Sequence, residues 1–188
     1  LIGEGDVLTS DGTTEPSANQ LKVHGLIPLE LRAKDGLSLI NGTSQMCSFL
    51  TLSEQRLTNL MVYADLVLCT SIEARKASVT PADERVHNAR PHEGQLTISR
   101  RIRTILANSP IMESHANCDQ VQDAYSFRCA PQVHGAVYER FSALQNTLNI
   151  ELNSATDNPL VFPDHSNPGP HEVLSQGNFH GEEVGRKE

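Results

Sequence analysis

The stretch that decides the fold is TSQMCSFLTLSEQRLTNLMVYADLVLCTSIEARKASVT, residues 43–80, which contains neither proline nor glycine. Its apolar residues recur every three or four positions, the repeat of one face of an α-helix. They are Phe49, Leu50, Leu57, Leu60, Met61, Ala64, Val67, Leu68 and Ile72. An unbroken helix of about 30 residues would be about 45 Å long. Because a small domain cannot bury such a helix alone, the pattern predicts long packed helices and self-association.

Weaker patterns precede this stretch. Asp11-Gly12 predicts a hairpin between the short runs DVL and TTE. Ser17 and Gln20 have the spacing of a capping box, which predicts a short helix that Gly25 ends. Asn41-Gly42 predicts a break immediately before the long helix.

Further helices are predicted after the long one. Thr80-Pro81 has the pattern of an N-cap followed by a first-turn proline, opening the helix PADERVHNAR. EGQLTISRRIRTILANSP and QVHGAVYERFSALQNTLNIEL predict two more helices, and the runs NPLVF and HEVLS predict a two-stranded ribbon. The predicted class is therefore mainly α, with minor β-structure near both ends.

Composition narrows the function classes. The formal charge is −8, and no dense cluster of lysine and arginine is present, so we do not expect nucleic acid as a partner. We expect no membrane association, because no long uninterrupted apolar run occurs. The four cysteines form no Cys-x-x-Cys pair, which argues against a zinc ribbon or a disulfide scaffold and favours the reducing cytoplasm.

The two ends of the sequence predict a partial chain. The opening LIGEG is neither a signal sequence nor a capped element. The final GEEVGRKE has the acidic residues that open a helix, but no helix follows. We therefore expect residues 1–188 to be a single partial domain from the centre of a larger protein.

The stretch CDQVQDAYSFRCAPQVHG, residues 118–135, brings together an amide, a phenol and a guanidinium. Gln122, Tyr125 and Arg128 are spaced by three, so a helical or 3₁₀ turn would place them roughly on one face. This arrangement suggests a site. Taken alone, an arginine is more often a surface residue and a tyrosine more often part of a core.

Four stretches resemble the aromatic amino acid ammonia-lyase and aminomutase family. They are AKDGLSLINGTSQ, RPHEGQ, CDQVQDAYSFRCAPQVHGA, and ELNSATDNPLVF with GNFHGE. They occur in the family's order and span nearly the whole chain. The resemblance implies the long-helix bundle of the ammonia-lyases and a homotetramer with active sites shared between subunits. It also implies a methylidene-imidazolone electrophile, which the family forms from an Ala-Ser-Gly triad that this sequence lacks.

The resemblance also implies an activity, the removal of ammonia from an amino acid. Within the family the wording favours L-histidine as substrate and trans-urocanate as product. A phenylalanine or tyrosine ammonia-lyase or an aminomutase stays open, as does a catalytically silent assembly module. The last alternative rests on the missing triad and on two departures from the family wording, Ser44 and Gln176.

The resemblance assigns roles to five residues. Arg128 matches the arginine that binds the substrate carboxylate, for which a planar guanidinium is well suited. Tyr125 matches a tyrosine that assists proton movement near the electrophile. Asn41 matches an asparagine that hydrogen-bonds at the electrophile and substrate. Gln122 matches a glutamine of the site, and Phe179 an aromatic residue lining the pocket.

No metal site is expected. His87 with His92, and His115 with Cys118, are not accompanied by a second pair at zinc-site spacing, and the family needs no metal. Asp157-Asn158 is predicted to be a turn and capping device that supports the site. Structural hydrogen bonds are predicted for His92, His115, His134 and His180.

Overall fold

The computed structural model describes residues 1–163, 166 and 172–177. These residues form two compact units. The first unit comprises Leu1–Gly42 and the described residues from Thr156 onward, and the second unit comprises Thr43–Ala155.

The described residues of the first unit form two small antiparallel sheets and two short helices. The elements are β1 (Asp6–Leu8), β2 (Thr14–Pro16), α1 (Ser17–Val23), α2 (Asp35–Ile40), β3 (Leu160–Phe162) and β4 (Glu172–Leu174). Strand β1 pairs with β2, with Val7 opposite Glu15. Strand β3 pairs with β4, with Val161 opposite Val173. Both predicted hairpins are therefore confirmed.

The predicted capping box at Ser17 is wrong. Ser17 is the first residue of α1, Pro16 occupies the N-cap, and no side chain caps the helix. The reason is that β2 runs directly into α1, so the turn residue expected at the cap already lies inside the helix. The Gln20 amide instead donates to the Glu15 carboxylate at 2.6 Å. The predicted stop is confirmed, since Gly25 has a φ of 66°.

The second unit is helical. Its elements are α3 (Ser44–Ala74), a 3₁₀ turn (Thr80–Ala82), α4 (Glu84–Asn88), α5 (Glu93–Ile105), α6 (Pro110–Glu113), α7 (Tyr125–Arg128) and α8 (Ala130–Leu152). Helix α3 has 31 residues, which confirms the long helix predicted from the apolar repeat. Asn41 and Gly42 form the predicted break before it.

The predicted start of α4 is wrong. Thr80 and Pro81 lie in the 3₁₀ turn, and the helix is capped by Asp83, whose side chain accepts from the Arg85 backbone N–H at 2.8 Å. Asp83 has φ −58° and ψ 134°, so the chain is extended there and one helix cannot run through it. Hydrogen bonds from the side chain and backbone of Arg85 lower the pKa of Asp83 to about 2.

The core of the second unit lies around α5. Ile98 and Ile102, one turn apart on α5, are almost fully buried. The core cluster consists of Cys69, Ile72, Ala77, Ala82, Ile98, Ile102 and Leu106.

Helices α5 and α8 touch through their backbones. A Cβ atom built on Gly94 would lie 2.0 Å from the carbonyl oxygen of Gly135, and one built on Gly135 would lie 2.6 Å from the nitrogen of Gln95. The Glu139 side chain on α8 also accepts a hydrogen bond from the Gly94 N–H at 3.0 Å. This bond satisfies one of the free N–H groups at the start of α5.

Much apolar surface of the second unit is not covered. Exposed residues of α3 include Phe49, Leu60, Tyr63 and Val67. Within the described residues, one stretch, Asp35–Ala74, which includes α2 and α3, is long and apolar enough to cross a membrane by length and composition. A core helix of a soluble protein satisfies the same criteria. In the second half of α3, the buried Asp65 carboxylate is ion-paired with Arg101 of α5, so α3 packs against α5 there.

Candidate active site

Tyr125 and Arg128 lie together on α7. The backbone is extended at Ala124 before this short helix, and α7 ends at Cys129, directly before α8. The guanidinium carbon of Arg128 lies 5.5 Å from the centre of the Tyr125 ring, a cation–π distance. Tyr125 is 73% exposed, so its hydroxyl group is accessible.

Gln122 does not share this turn. The chain is not helical before Tyr125, so the prediction that all three residues stack on one face is wrong for Gln122. Gln122 and Arg128 nevertheless line the same cavity of about 700 Å³. The Tyr125 side chain is not among the groups that line it. The structure thus joins Arg128 to Tyr125 by a ring contact and to Gln122 by a shared cavity.

The Arg128 guanidinium is held at one nitrogen. Its Nε donates to the backbone carbonyl of Asp123 at 2.9 Å. Among the described residues, its two terminal nitrogens have no hydrogen-bond partner. Because the terminal nitrogens form a planar fork that matches a carboxylate, Arg128 can bind a carboxylate end-on.

Asp123 is a site residue that the sequence analysis missed. Its Oδ2 accepts from the Ser78 backbone N–H at 2.7 Å, and its Oδ1 accepts from the Gln120 side-chain amide at 3.1 Å. Its contact with Arg128 is made by the backbone carbonyl, so the residue type at position 123 gave no signal for it.

Asn41 and Phe179 do not belong to the described part of the unit that contains α7. Asn41 belongs to the first unit, where its backbone N–H donates to Leu37 O at 2.9 Å and ends α2. Its side chain is exposed and has no hydrogen-bond partner among the described residues. Phe179 lies outside the described residues.

Asp157 and Asn158 fix the segment that leads to Asn41. The Asp157 carboxylate accepts from Lys34 Nζ at 2.5 Å and from Ser38 Oγ at 2.8 Å, and both donors belong to α2 or its N-cap. The bonds from Lys34, Ser38 and the Asn158 backbone hold the pKa of Asp157 below its usual value. These bonds tie Asp157 to the side chains of Lys34 and Ser38 rather than cap α2, and the supporting role of the pair at the site stays a prediction.

Both departures from the family wording are accommodated. The Gln176 backbone N–H donates to Asn158 Oδ1 at 3.2 Å, and its side-chain amide donates to Asp157 O at 2.8 Å. Gln176 is not among the residues with positive φ, so it does not need the conformational freedom of glycine. Ser44 is the exposed first residue of α3.

A buried ion cluster links α3, α5 and α8. Asp65 is 3% exposed and accepts from His134 Nδ1 at 3.0 Å and from Arg101 Nη1 at 2.9 Å. Burial alone raises the pKa of Asp65, but the hydrogen bonds from His134 and Arg101 outweigh burial and leave the pKa below its usual value. Arg101 also lies 5.3 Å from the centre of the Tyr138 ring. These contacts confirm the structural role predicted for His134.

The other three histidines with predicted structural hydrogen bonds have different outcomes. The Nδ1 atom of His115 is 2.6 Å from the backbone oxygen of Ile111, a hydrogen bond that confirms the predicted structural role. The imidazole of His92 has no hydrogen-bond partner among the described residues, and its predicted structural role stays a prediction. His92 is the exposed N-cap of α5, and its side chain makes no capping hydrogen bond. His180 lies outside the described residues. Within residues 1–163, 166 and 172–177, no group of three metal-ligating side chains occurs.

Comparison with known proteins defines the class. The family model for aromatic amino acid lyases matches residues 1–187. The chain belongs to this family, which confirms the resemblance drawn from the four motifs.

The particular relatives are mainly histidine ammonia-lyases. The histidine ammonia-lyase of Sorangium cellulosum (strain So ce56) is 46% identical over 98% of this chain and 36% of its own length. The human histidine ammonia-lyase is 41% identical over 97% of this chain and 28% of its own length. The chain thus spans about a third of the curated relatives it matches. That residues 1–188 are the central part of a larger chain stays a prediction.

Solved structures share the fold. The histidine ammonia-lyase from Trypanosoma cruzi superposes with a TM-score of 0.80 at 39% identity, covering 97% of this chain and 33% of the other. The tyrosine aminomutase from Streptomyces globisporus gives 0.81 at 37% identity, covering 97% and 37%. The predicted fold class, mainly α with small β-ribbons, is confirmed.

Proposed function

We propose that this chain is part of an ammonia-lyase that converts L-histidine to trans-urocanate and ammonia. The observation that carries the proposal is the Arg128 guanidinium, bound by the protein at Nε and open at both terminal nitrogens. An α-amino acid presents the carboxylate that such a fork binds. The histidine ammonia-lyases among the relatives support histidine as the substrate.

The residues of this chain have distinct tasks in the proposed reaction. Arg128 holds the substrate carboxylate, which fixes the Cα and Cβ atoms in space. Tyr125 has an accessible hydroxyl group and takes part in moving the weakly acidic β-proton. The exposed Asn41 amide donates a hydrogen bond to the substrate. Gln122 and Phe179 complete the substrate contacts.

Residues 1–188 lack the triad from which the electrophile of the family forms. A methylidene-imidazolone supplies the chemistry that captures the amine, and it forms from Ala-Ser-Gly. The sequence contains no such triad, so these 188 residues cannot form the group themselves. It would have to form outside residues 1–188.

Assembly and compartment complete the proposal. The exposed apolar residues of α3 support a homo-oligomer, which we take to be the tetramer with shared active sites. Cytoplasmic localisation is supported by four cysteines that are all free.

The test uses the full-length protein. Incubation with L-histidine should give urocanate absorbance together with an equal amount of released ammonia. Cinnamate from phenylalanine or coumarate from tyrosine, with no urocanate from histidine, would contradict the proposal.

A second candidate is an aminomutase, which the likeness to the tyrosine aminomutase favours. An aminomutase retains the nitrogen, so a β-amino acid would form from the α-amino acid without net ammonia release. A folded oligomer without turnover on any of these substrates would indicate a silent assembly module.

A further inference from the structure

We infer that Asp123 is a positioning residue that aims the Arg128 guanidinium at the substrate carboxylate. The inference rests on the proposed function, because it concerns how that site binds its substrate. Asp123 itself touches no substrate in this scheme. It acts through its carbonyl oxygen, which binds Arg128, and through its carboxylate, which fixes the segment that bears the carbonyl.

The first step is the anchoring of the segment. Residues 118–124 contain no helix or strand, so their position depends on individual contacts. The half-buried Asp123 carboxylate supplies two, to the Ser78 backbone N–H at 2.7 Å and to the Gln120 amide at 3.1 Å. Ser78 lies just before the 3₁₀ turn that joins the core at Ala82. Asp123 therefore ties an irregular segment to the packed part of the unit.

The second step is the orientation of the arginine. With Nε bound to Asp123 O at 2.9 Å, the side-on pair of donors formed by Nε and one terminal nitrogen is no longer available. The two terminal nitrogens remain as the fork for a carboxylate. The same segment places Gln122 and Arg128 along one cavity. The backbone carbonyl thus selects the edge of the guanidinium that meets the ligand.

Loss of the Asp123 carboxylate should affect ligand binding selectively. Without its carboxylate, Asp123 no longer fixes its own carbonyl, and Arg128 gains rotamers that must be ordered when a ligand binds. The loss should fall on ligands that carry a carboxylate and spare those that lack one. A general loss of structure would weaken both.

The experiment compares three variants of the full-length enzyme. Asp123→Ala removes both side-chain contacts, and Asp123→Asn keeps an oxygen that can accept from Ser78. Asp119→Ala is the matched control, because Asp119 lies in the same segment and is exposed, with no hydrogen-bonded side-chain partner among the described residues. Inhibition of histidine turnover is measured with imidazole propionate, which has a carboxylate, and with histamine, which has none.

We expect Asp123→Ala to weaken imidazole propionate about 10-fold and to raise KM for histidine similarly, with histamine changed by less than about 2-fold. Asp123→Asn should weaken imidazole propionate by about 3-fold. Asp119→Ala should match the wild type. If Asp123→Ala does not fold, Asp123→Asn carries the same comparison.

A double-mutant cycle with Arg128→Met tests the route. If Asp123 acts through Arg128, adding Asp123→Asn to Arg128→Met should change imidazole propionate binding by less than about 1.5-fold. Equal losses for both inhibitors, or additive effects in the cycle, would overturn the inference. Wild-type enzyme that makes no urocanate would overturn the proposed function and the inference with it. Active wild type with unchanged Asp123 variants would overturn the inference alone.

Discussion

At the scale of single residues, the site depends on how Arg128 divides its hydrogen bonds. The protein uses Nε, and the terminal nitrogens stay open. The family motif in the sequence was enough to single out Tyr125 and Arg128 as candidate site residues. The role of Asp123 could not be predicted, because it depends on a backbone carbonyl and on Ser78, which lies 45 positions away.

Replacing Arg128 by lysine tests this division of bonds. An ammonium group cannot keep the bond to Asp123 O and also present a planar fork, so we expect kcat/KM for histidine to fall about 100-fold, or about 2.7 kcal/mol. Steady-state kinetics of the full-length enzyme measure the loss. Arg140→Lys, at an exposed position on α8, should leave kcat/KM unchanged. Near-wild-type kinetics for Arg128→Lys would exclude end-on carboxylate binding.

Asp65 gives a pH-dependent prediction. Because its pKa is lowered in the folded state, its contribution to stability is present above the usual carboxyl pKa of about 3.9 and is lost as the pH falls through the lowered value. At neutral pH, Asp65→Asn should lower the free energy of unfolding by about 2 kcal/mol.

Denaturant unfolding at a series of pH values measures this effect. The difference between wild type and Asp65→Asn should shrink as the pH falls below about 4. Asp119→Asn, at an exposed position, should show no such difference. A gap between wild type and Asp65→Asn that grows toward acid would contradict a lowered pKa of Asp65.

At the scale of elements, the apolar repeat was enough to predict the long helix and the two later helices. Helix starts were less predictable. Ser17 and Thr80 both have cap-like sequences, yet the cap is set by where the preceding chain is extended, at Pro16 and at Asp83. The position of the extended residue is set by the β1–β2 hairpin before α1 and by the 3₁₀ turn before α4.

The contact between α5 and α8 predicts a sharp requirement for glycine. In Gly94→Ala the new methyl group would lie 2.0 Å from Gly135 O, so the helices must separate. We expect a loss of about 3 kcal/mol or more in unfolding free energy. Gly36→Ala is the control, since its nearest neighbour outside the local chain is Leu31 Cδ1 at 3.8 Å. That change in α2 should be neutral or stabilise by about 0.5 kcal/mol, and equal effects of the two changes would contradict the close contact.

At the scale of the whole molecule, the exposed apolar face of α3 determines how the chain is expected to exist in solution. This surface could be predicted from the sequence, because a helix of 31 residues has more apolar surface than the core of a small unit can cover. The division of the described residues into two units was not predicted. It depends on contacts between distant segments, such as Lys34 with Asp157, that no local pattern encodes.

A charge on this face should break the proposed oligomer. Leu60 is 60% exposed on α3, and Leu60→Glu would place a carboxylate in an apolar subunit contact, at a cost of several kcal/mol, on the order of 3 per site. Sedimentation velocity of the full-length protein should show smaller species. Gln55→Glu, at an exposed polar position of the same helix, should sediment like the wild type. A monomeric wild-type protein would contradict the oligomer itself.

The close contact between α5 and α8 should survive heating longer than the segment 118–124 that directs Arg128. Helix α8 begins two residues after Arg128, so the Cα of the arginine is fixed by a rigid helix end. Its guanidinium, in contrast, is directed by the irregular segment 118–124, which a few hydrogen bonds hold in place. Segments of this kind open locally at lower free energy than packed helices. Warming should therefore disorient the guanidinium while α5 and α8 are still joined, and catalysis should fail at a lower temperature than the fold.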